Sequence, residues 1–317
     1  MFYTFHFLAI FSLVATIFSS LRISRWWVSV WDVMRVHLAW VMFLLLMGGL
    51  IFLPLNELWV RAYLIILTAA IVYHLKLIIP FMPFGRVEVE RTTKKDFSLK
   101  FLTANVREKN NQYQNLIDLV HKMQPDILLL TEANQDWFNA TTVLKKQYPH
   151  VISQPQENTY GMLFFSKFPL ENSEVKFLVE KDVPSIHTHI QFKDKTIQFL
   201  ALHPRPPAPS NSIKNKNLEL IKVAEETNWN NLPTIVGGDL NDVGWSKITQ
   251  KFKQISGLLD PRVGRGFFNT YNATIPIFRV PIDHFFVSKE FKLLKIKRLE
   301  KIGSDHFPVL LEINLEQ

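Results

Sequence analysis

The sequence predicts a mixed α/β domain preceded by transmembrane helices. Three observations predict it. Apolar residues fill the first 84 positions in runs long enough to cross a bilayer. Beyond Arg86, strand and helix patterns alternate. Several strand patterns end in polar clusters, the place where α/β enzymes put their sites. The chain therefore divides into an anchor over 1–85, a short charged linker over 86–96 and a domain over 97–317.

The anchor contains three apolar stretches, Phe2–Leu21, Val36–Pro54 and Val60–Phe84, each close to the ~20 residues a span needs. Three spans are expected. The alternative is two, with the first stretch cleaved or lying in the interface. Trp26, Trp27, Trp31 and Trp59 sit between these runs, where an aromatic belt forms. Arg22, Arg25 and Arg35 follow the first stretch, and Arg86, Arg91, Lys94 and Lys95 follow the third. The second loop has only Glu57 and Arg61. The more basic side is thus the side of the domain, which predicts an outside N-terminus and a cytoplasmic domain, in a bacterial cell on the inner membrane.

In the domain, Phe97–Ala104 reads as a strand. Asn110–Met123 has the apolar spacing of an amphipathic helix. Asp126–Leu130 is a buried strand and Gln135–Tyr148 a second helix. Strands follow at Gly161–Phe165, Glu174–Leu178, Ser185–Phe192 and Thr196–Leu202, the last two joined by a hairpin at Lys193–Lys195. Ser210–Thr227 is a helix capped by Ser210 or Ser212. Leu232–Gly237 is a strand and Trp245–Phe252 a short helix. Thr270-Tyr271, Ile282–Ser288, Phe291–Leu299 and Val309–Ile313 complete the strands.

Composition narrows the chemistry. A chain of 317 residues, 48% hydrophobic, can bury a large core. The absence of cysteine excludes disulfides and thiolate metal sites. The net charge is +8, of which the anchor holds +3, so the domain is mildly basic and suits an anionic substrate. No Walker loop, Rossmann fingerprint, His-Glu-x-x-His or Gly-x-Ser-x-Gly elbow occurs.

The polar clusters are Thr103-Ala104-Asn105, Leu130-Thr131-Glu132, Gly237-Gly238-Asp239-Leu240-Asn241, Ile282-Asp283-His284 and Ser304-Asp305-His306. Their carboxylates can hold a hard divalent ion, and an imidazole can bind a phosphate oxygen or move a proton. Each cluster alone reads as readily as a turn. Asp239 and Asn241, two apart, share one face if the chain there is extended.

As a set, over roughly Phe97 to Glu316, these motifs resemble the endonuclease/exonuclease/phosphatase superfamily, the DNase-I-like metal-dependent phosphodiesterases. The resemblance implies a four-layer α/β/β/α sandwich and a Mg²⁺ cofactor, with Mn²⁺ in its place. It implies metal-holding roles for Glu132, Asn105 and Asp305. It also implies that Asp239 activates water, that Asn241 donates to the phosphoryl oxygen, and that His306, oriented by Asp283, contacts the phosphate together with His203. Some members carry an acidic metal ligand two residues after the asparagine. This chain has Arg107 there, which with Arg205 is expected to face the substrate phosphate. His187, His189 and His284 read as structural. The resulting expectation is a membrane-anchored phosphoesterase acting on nucleic acid or a lipid headgroup, with the bilayer as its other partner. A non-catalytic membrane adaptor that kept the fold is the alternative.

Overall fold

A computed structural model describes residues 2–21, 23–228 and 231–316. Arg22, one of the basic residues flanking the first apolar stretch, lies outside them. Four helices come first: α1 (Phe2–Ser20), α2 (Trp26–Val33), α3 (Arg35–Phe52) and α4 (Leu58–Ile78). Three spans were expected. Among the described residues two helices are long and apolar enough to cross a membrane, Arg35–Phe52 and Leu58–Phe81, while the apolar part of α1, Phe5–Ser20, is shorter. Only 33% and 39% of these two spans is buried, so most of their apolar surface faces outward, unlike the core helix of a globular domain.

The loop expected to carry an aromatic belt is instead α2, with Trp26 and Trp27 on its exposed side. Arg35, counted among the basic residues of that loop, is fully buried. It pairs with Asp32 and meets His74 Nδ1 at 3.1 Å, while His74 Nε2 meets Thr16 Oγ1 at 2.9 Å. A charge desolvated this deeply must be matched, and here it knits α1, α2, α3 and α4 together rather than facing lipid headgroups.

The domain is built on two sheets. Strands β1 (Ser98–Asn105), β2 (Ile127–Thr131), β3 (His150–Gln154), β4 (Met162–Ser166), β10 (Phe291–Arg298) and β11 (Val309–Leu315) form one, in the order β10-β11-β1-β2-β4-β3. Strands β5 (Leu170–Lys176), β6 (Ser185–Phe192), β7 (Lys195–Leu202), β8 (Thr234–Asp239) and β9 (Asp283–Val287) form the other, in chain order. Their inner faces meet through Phe101, Phe164, Phe199 and Phe285, with the Phe101 and Phe199 rings stacked at 5.6 Å. Helices α5 (Tyr113–Met123) and α6 (Gln135–Ala140) cover the outside of the first sheet, and α7 (Ile213–Glu226) and α8 (Lys247–Ser256) the second. This is the four-layer sandwich.

Strand β3, an edge strand, has no counterpart among the predicted strands. The predicted helix to Tyr148 stops at Ala140 and continues as a 3-10 turn over Thr141–Lys146. Thr270-Tyr271 makes only isolated bridges from Tyr271 to Val280 and His306. Ser212, not Ser210, caps α7, accepting from the Asn215 backbone N–H.

Anchor and domain share a hydrophobic core. Val33, Val36, Leu77 and Phe81 pack against Val243, Trp245, Val263, Val280 and Ile282. Trp245 Nε1 donates to the Asp32 carbonyl at 2.8 Å, and Lys247 Nζ donates to the Ser19 and Leu21 carbonyls at the end of α1.

Candidate active site

The strand directions bring the polar clusters to one end of the sandwich. β1 runs parallel to β2 and β7 parallel to β8, while β11 and β9 run against them. The C-terminal ends of the first four and the N-terminal ends of the last two therefore coincide. Asn105 ends β1, Glu132 follows β2, His203 follows β7 and Asp239 ends β8. Asp283 opens β9, and His306 stands just before β11.

Asp239 is the hub. Its Oδ2 accepts from Asn105 Nδ2 at 3.0 Å and lies 3.6 Å from His203 Nε2 and 3.7 Å from His306 Nε2. Its Oδ1 accepts from the Asn241 N–H at 2.9 Å. Asn105 Nδ2 also donates to Glu132 Oε1 at 2.8 Å, and its Oδ1 accepts from the Arg107 N–H. Carboxylates can only accept, so these contacts fix the amide orientation. Asn105 presents its N–H groups, not its oxygen, to the two carboxylates. His306 Nδ1 lies 2.9 Å from Asp283 Oδ2, and the His306 N–H donates to Ser304 Oγ. Thr270 Oγ1 accepts from the backbone N–H groups of Ile282 and Asp283 and steadies the start of β9.

The backbone is bent to suit. Arg107, Glu132 and Asn241 all have positive φ, at 59°, 55° and 50°. Such left-handed non-glycine residues are uncommon and collect at functional sites. At Gly238 φ is 137°, and a Cβ would lie 2.1 Å from the Leu202 carbonyl oxygen, so only glycine lets β8 approach β7 there.

The electrostatics separate the groups by role. Asp239 and Asp283 are direct partners across β8 and β9. Burial raises the Asp239 carboxyl, and its repulsion from Asp283 raises it further. Burial also lifts Glu132 to about 7, with Asp239 and Asp305 adding to the rise and Asn105 and His306 opposing it. For His306, burial alone would lower the pKa. Asp283, then Asp239, the hydrogen bond to Asp283 and Asp305 overcome it and hold the ring charged up to about 10. Burial drops His203 to about 4, so it is neutral, and its Nδ1 is buried with no hydrogen-bond partner among the described residues.

Asp239, Asp283 and His306 bring ligand atoms within 4.8 Å of one another, a spacing that would admit a metal ion. A protonated imidazole has no lone pair to give, however, and its Nδ1 is already committed to Asp283. The unmatched charge lies on the other side, on Glu132, with the Asp305 carboxylate close enough to act on it. An all-oxygen set of this kind fits a hard divalent ion, which would let the raised carboxyls ionise.

The remaining expected residues are placed less centrally. Asp305 is half-buried, 3.9 Å from Arg107 Nε, and acts electrostatically on both Glu132 and His306. Arg107 is half-exposed at the rim. Asn241 departs from the extended geometry expected of it, because β8 ends at Asp239. Its side chain donates to the Pro204 carbonyl at 3.0 Å, leaving one amide hydrogen for other use. Arg205 is engaged by Glu180 and Asp182 and lies over the Tyr160 ring at 4.6 Å, so its charge is already matched. His284 is structural, between Arg262 and the Asp242 carbonyl. His187 bonds Ser185 and Glu226.

Sequence reasoning missed several supports. Lys216, buried in α7, binds Asp242 Oδ2 at 2.7 Å and the Asn241 carbonyl at 3.0 Å, fixing the loop after Asp239. Tyr160 packs on His203 at 5.3 Å and Tyr271 on His306 at 5.0 Å. A lysine in a helix or a tyrosine in a loop carries no local mark of such a role.

Residues 102–306 match the sequence profile of the Endonuclease/Exonuclease/phosphatase family. No curated protein sequence is matched. Among solved structures, D. rerio TDP2 complexed with single strand DNA product superimposes with a TM-score of 0.58 at 13% identity, over 69% of this chain and 100% of that one. An endonuclease/exonuclease/phosphatase from Bacteroides vulgatus gives 0.57 at 16%, over 69% and 99%. A family protein from Bacteroides thetaiotaomicron gives 0.55 at 20%, over 71% and 100%. At these identities the likeness is one of fold.

Proposed function

The chain belongs to the Endonuclease/Exonuclease/phosphatase family, whose fold is that of phosphoric ester hydrolases, and from this premise we propose that it hydrolyses a phosphodiester with a divalent metal while standing in a membrane. The observation that carries the reading is the convergence on Asp239 Oδ2 of groups from three strand ends, Asn105, His203 and His306.

Attack on a phosphodiester needs an activated water, relief of negative charge on phosphorus and a stabilised leaving oxygen. Asp239, raised by burial and by Asp283, is the proton acceptor for the water. The water oxygen bonds to phosphorus, one ester P–O bond breaks, and the released oxygen leaves as an alcohol with a proton from bulk water. The His306 imidazolium donates to a phosphoryl oxygen, with Asp283 fixing the ring through Nδ1. His203 serves as an uncharged donor, and the second amide hydrogen of Asn241 reaches the same anion. Glu132 and Asp305 would hold the metal, Mg²⁺ or Mn²⁺, with Asn105 positioning the carboxylates. Once bound it supplies Lewis acidity toward the phosphate oxygens. Arg107, half-exposed at the rim and paired with Asp305 through Nε, can still turn its outer guanidinium nitrogens to the substrate. Arg205, already paired, acts by holding the segment after His203.

We place α3 and α4 across a bacterial inner membrane, because their outward faces are apolar and mostly unburied. The basic segment after α4 supports a cytoplasmic domain. An adaptor that kept only the fold would not need this constellation intact.

The test is hydrolysis by the full chain in detergent of bis(p-nitrophenyl) phosphate, DNA, RNA and phospholipid, with Mg²⁺ or Mn²⁺ and with chelator. Chelator-sensitive turnover of one of them is expected. No turnover of any with either metal would overturn the reading.

A further inference from the structure

A cleft that belongs to both anchor and domain lies between α3 and residues 276–281. Its volume is about 590 Å³, within the ordinary range for ligand sites. Val36, Trp40 and Leu44 of α3 form one wall, Ile277 and Phe278 the other, and Arg298 stands among its polar lining. Leu44 lies nine residues into α3, about 13 Å from the helix start, so the cleft runs down the side of a span.

The loop that forms the outer wall is exposed and apolar. Ile277 is 71% exposed and Phe278 50%, beside Leu44 at 65% on α3. Its place is set by His37 of α3, whose Nε2 lies 2.7 Å from the Ile277 carbonyl oxygen. A greasy tip pinned against a membrane helix is costly in water and favourable in acyl chains.

Two arginines, Arg279 and Arg298, also line the cleft. Their guanidinium groups stand over one ring, that of Phe307, at 5.0 Å and 4.4 Å. Neither forms an ion pair among the described residues; their side-chain hydrogen bonds go to the Asn272 and Asn269 carbonyls. Two neighbouring guanidinium groups with no carboxylate between them suit a phosphate. They are close to the reaction centre by chain and by contact. Phe307 follows His306, and the Tyr271 ring that packs on His306 belongs to the same 269–281 segment.

Resting on the hydrolase reading above, we propose that the substrate is a membrane phospholipid, its acyl chain lying in the cleft between α3 and residues 276–281 and its phosphate entering past Arg279 and Arg298. A nucleic acid would make no use of an apolar wall set along a span.

The full chain is assayed with Mn²⁺ on phosphatidylglycerol, phosphatidylethanolamine and cardiolipin in mixed micelles, on a single-stranded DNA oligonucleotide, and on bis(p-nitrophenyl) phosphate. Phospholipid is expected to be cleaved with a kcat/KM at least tenfold above that for DNA. Leu44→Trp, which fills the cleft, should raise KM for the lipid at least tenfold, with the loss carried by KM rather than kcat. Should that variant fail to fold, the rim variant Arg279→Gln/Arg298→Gln carries the same expectation. Wild-type lipid KM in a folded variant overturns the inference. So does cleavage of the small ester or DNA without cleavage of lipid, an outcome that leaves the hydrolase reading standing. Failure to cleave anything removes both.

Discussion

Asp239 concentrates the chemistry in one carboxylate. Asp239→Asn keeps the shape and the Asn105 contact region but removes the base, so turnover should fall by ~10²–10⁴-fold in a protein that still unfolds cooperatively. Turnover and thermal unfolding on the same purified variant check this, and wild-type turnover in the folded variant would sink the mechanism. His306→Ala should also cripple turnover. Asp283→Asn should do so less, because it acts through the ring it orients. A second expectation concerns Glu132, whose folded pKa is raised to about 7. A raised carboxyl contributes stability while protonated. That contribution is whole below about 4.5 and is lost as pH rises through 7, a difference of roughly 3 kcal/mol. Relative to Glu132→Gln, which lacks this titration, the melting temperature of the metal-free protein should therefore fall between pH 5 and pH 8, and Mg²⁺ or Mn²⁺ should restore the loss at pH 8 by binding the ionised form. Calorimetry of both proteins at both pH values, with and without metal, decides it; an equal pH response in the two would contradict the assignment. At this scale the Asp283–His306 contact was expected through the family resemblance, not from either strand's own pattern. The partners of Arg205 were not, since Glu180 and Asp182 reach it from a separate loop. Asn241 was misdirected by assuming extended chain where φ turns positive.

Strands and helices place these groups, and glycine decides how closely. Gly238→Ala would set a methyl against the Leu202 carbonyl in a backbone region closed to L residues. It should cost on the order of 3 kcal/mol, a drop of roughly 6–12 °C in melting temperature. Gly257, also at positive φ but facing open space, is the control, and Gly257→Ala should cost only about 1 kcal/mol. Equal melting temperatures for the two variants would show that the close approach at β8 is unimportant. Elements with a buried face were legible from their periodicity, as α5, β2 and β8 show. Those governed by context were not. β3 reads His-Val-Ile-Ser-Gln and pairs only with β4, so no alternation marks it. The helix after Asn134 fails at Thr141-Thr142-Val143, where β-branched residues crowd the turn and Thr141 Oγ1 bonds back to the Trp137 carbonyl.

Anchor and domain are joined as one body through the core around Phe81 and Trp245. Composition changes near residue 86, but nothing in the sequence marks the core shared across that point, because its members lie more than 150 residues apart. The buried Arg35 weakens the charge argument for orientation, which now rests on the segment after α4. An export-dependent reporter fused after the last residue should accordingly stay inactive, and strong activity would put the domain on the opposite side. With α3 and α4 placed across the bilayer as proposed, the shared core also sets the height of the site above it. A catalyst on a slack tether samples a hemisphere of solution; one seated rigidly on its own spans sweeps a plane. For the proposed lipid substrate, the encounter rate then follows the mole fraction of that lipid in the surface, not its amount per litre. Diluting the substrate with inert lipid at constant total concentration should slow the enzyme, and adding more membrane of the same composition should not speed it.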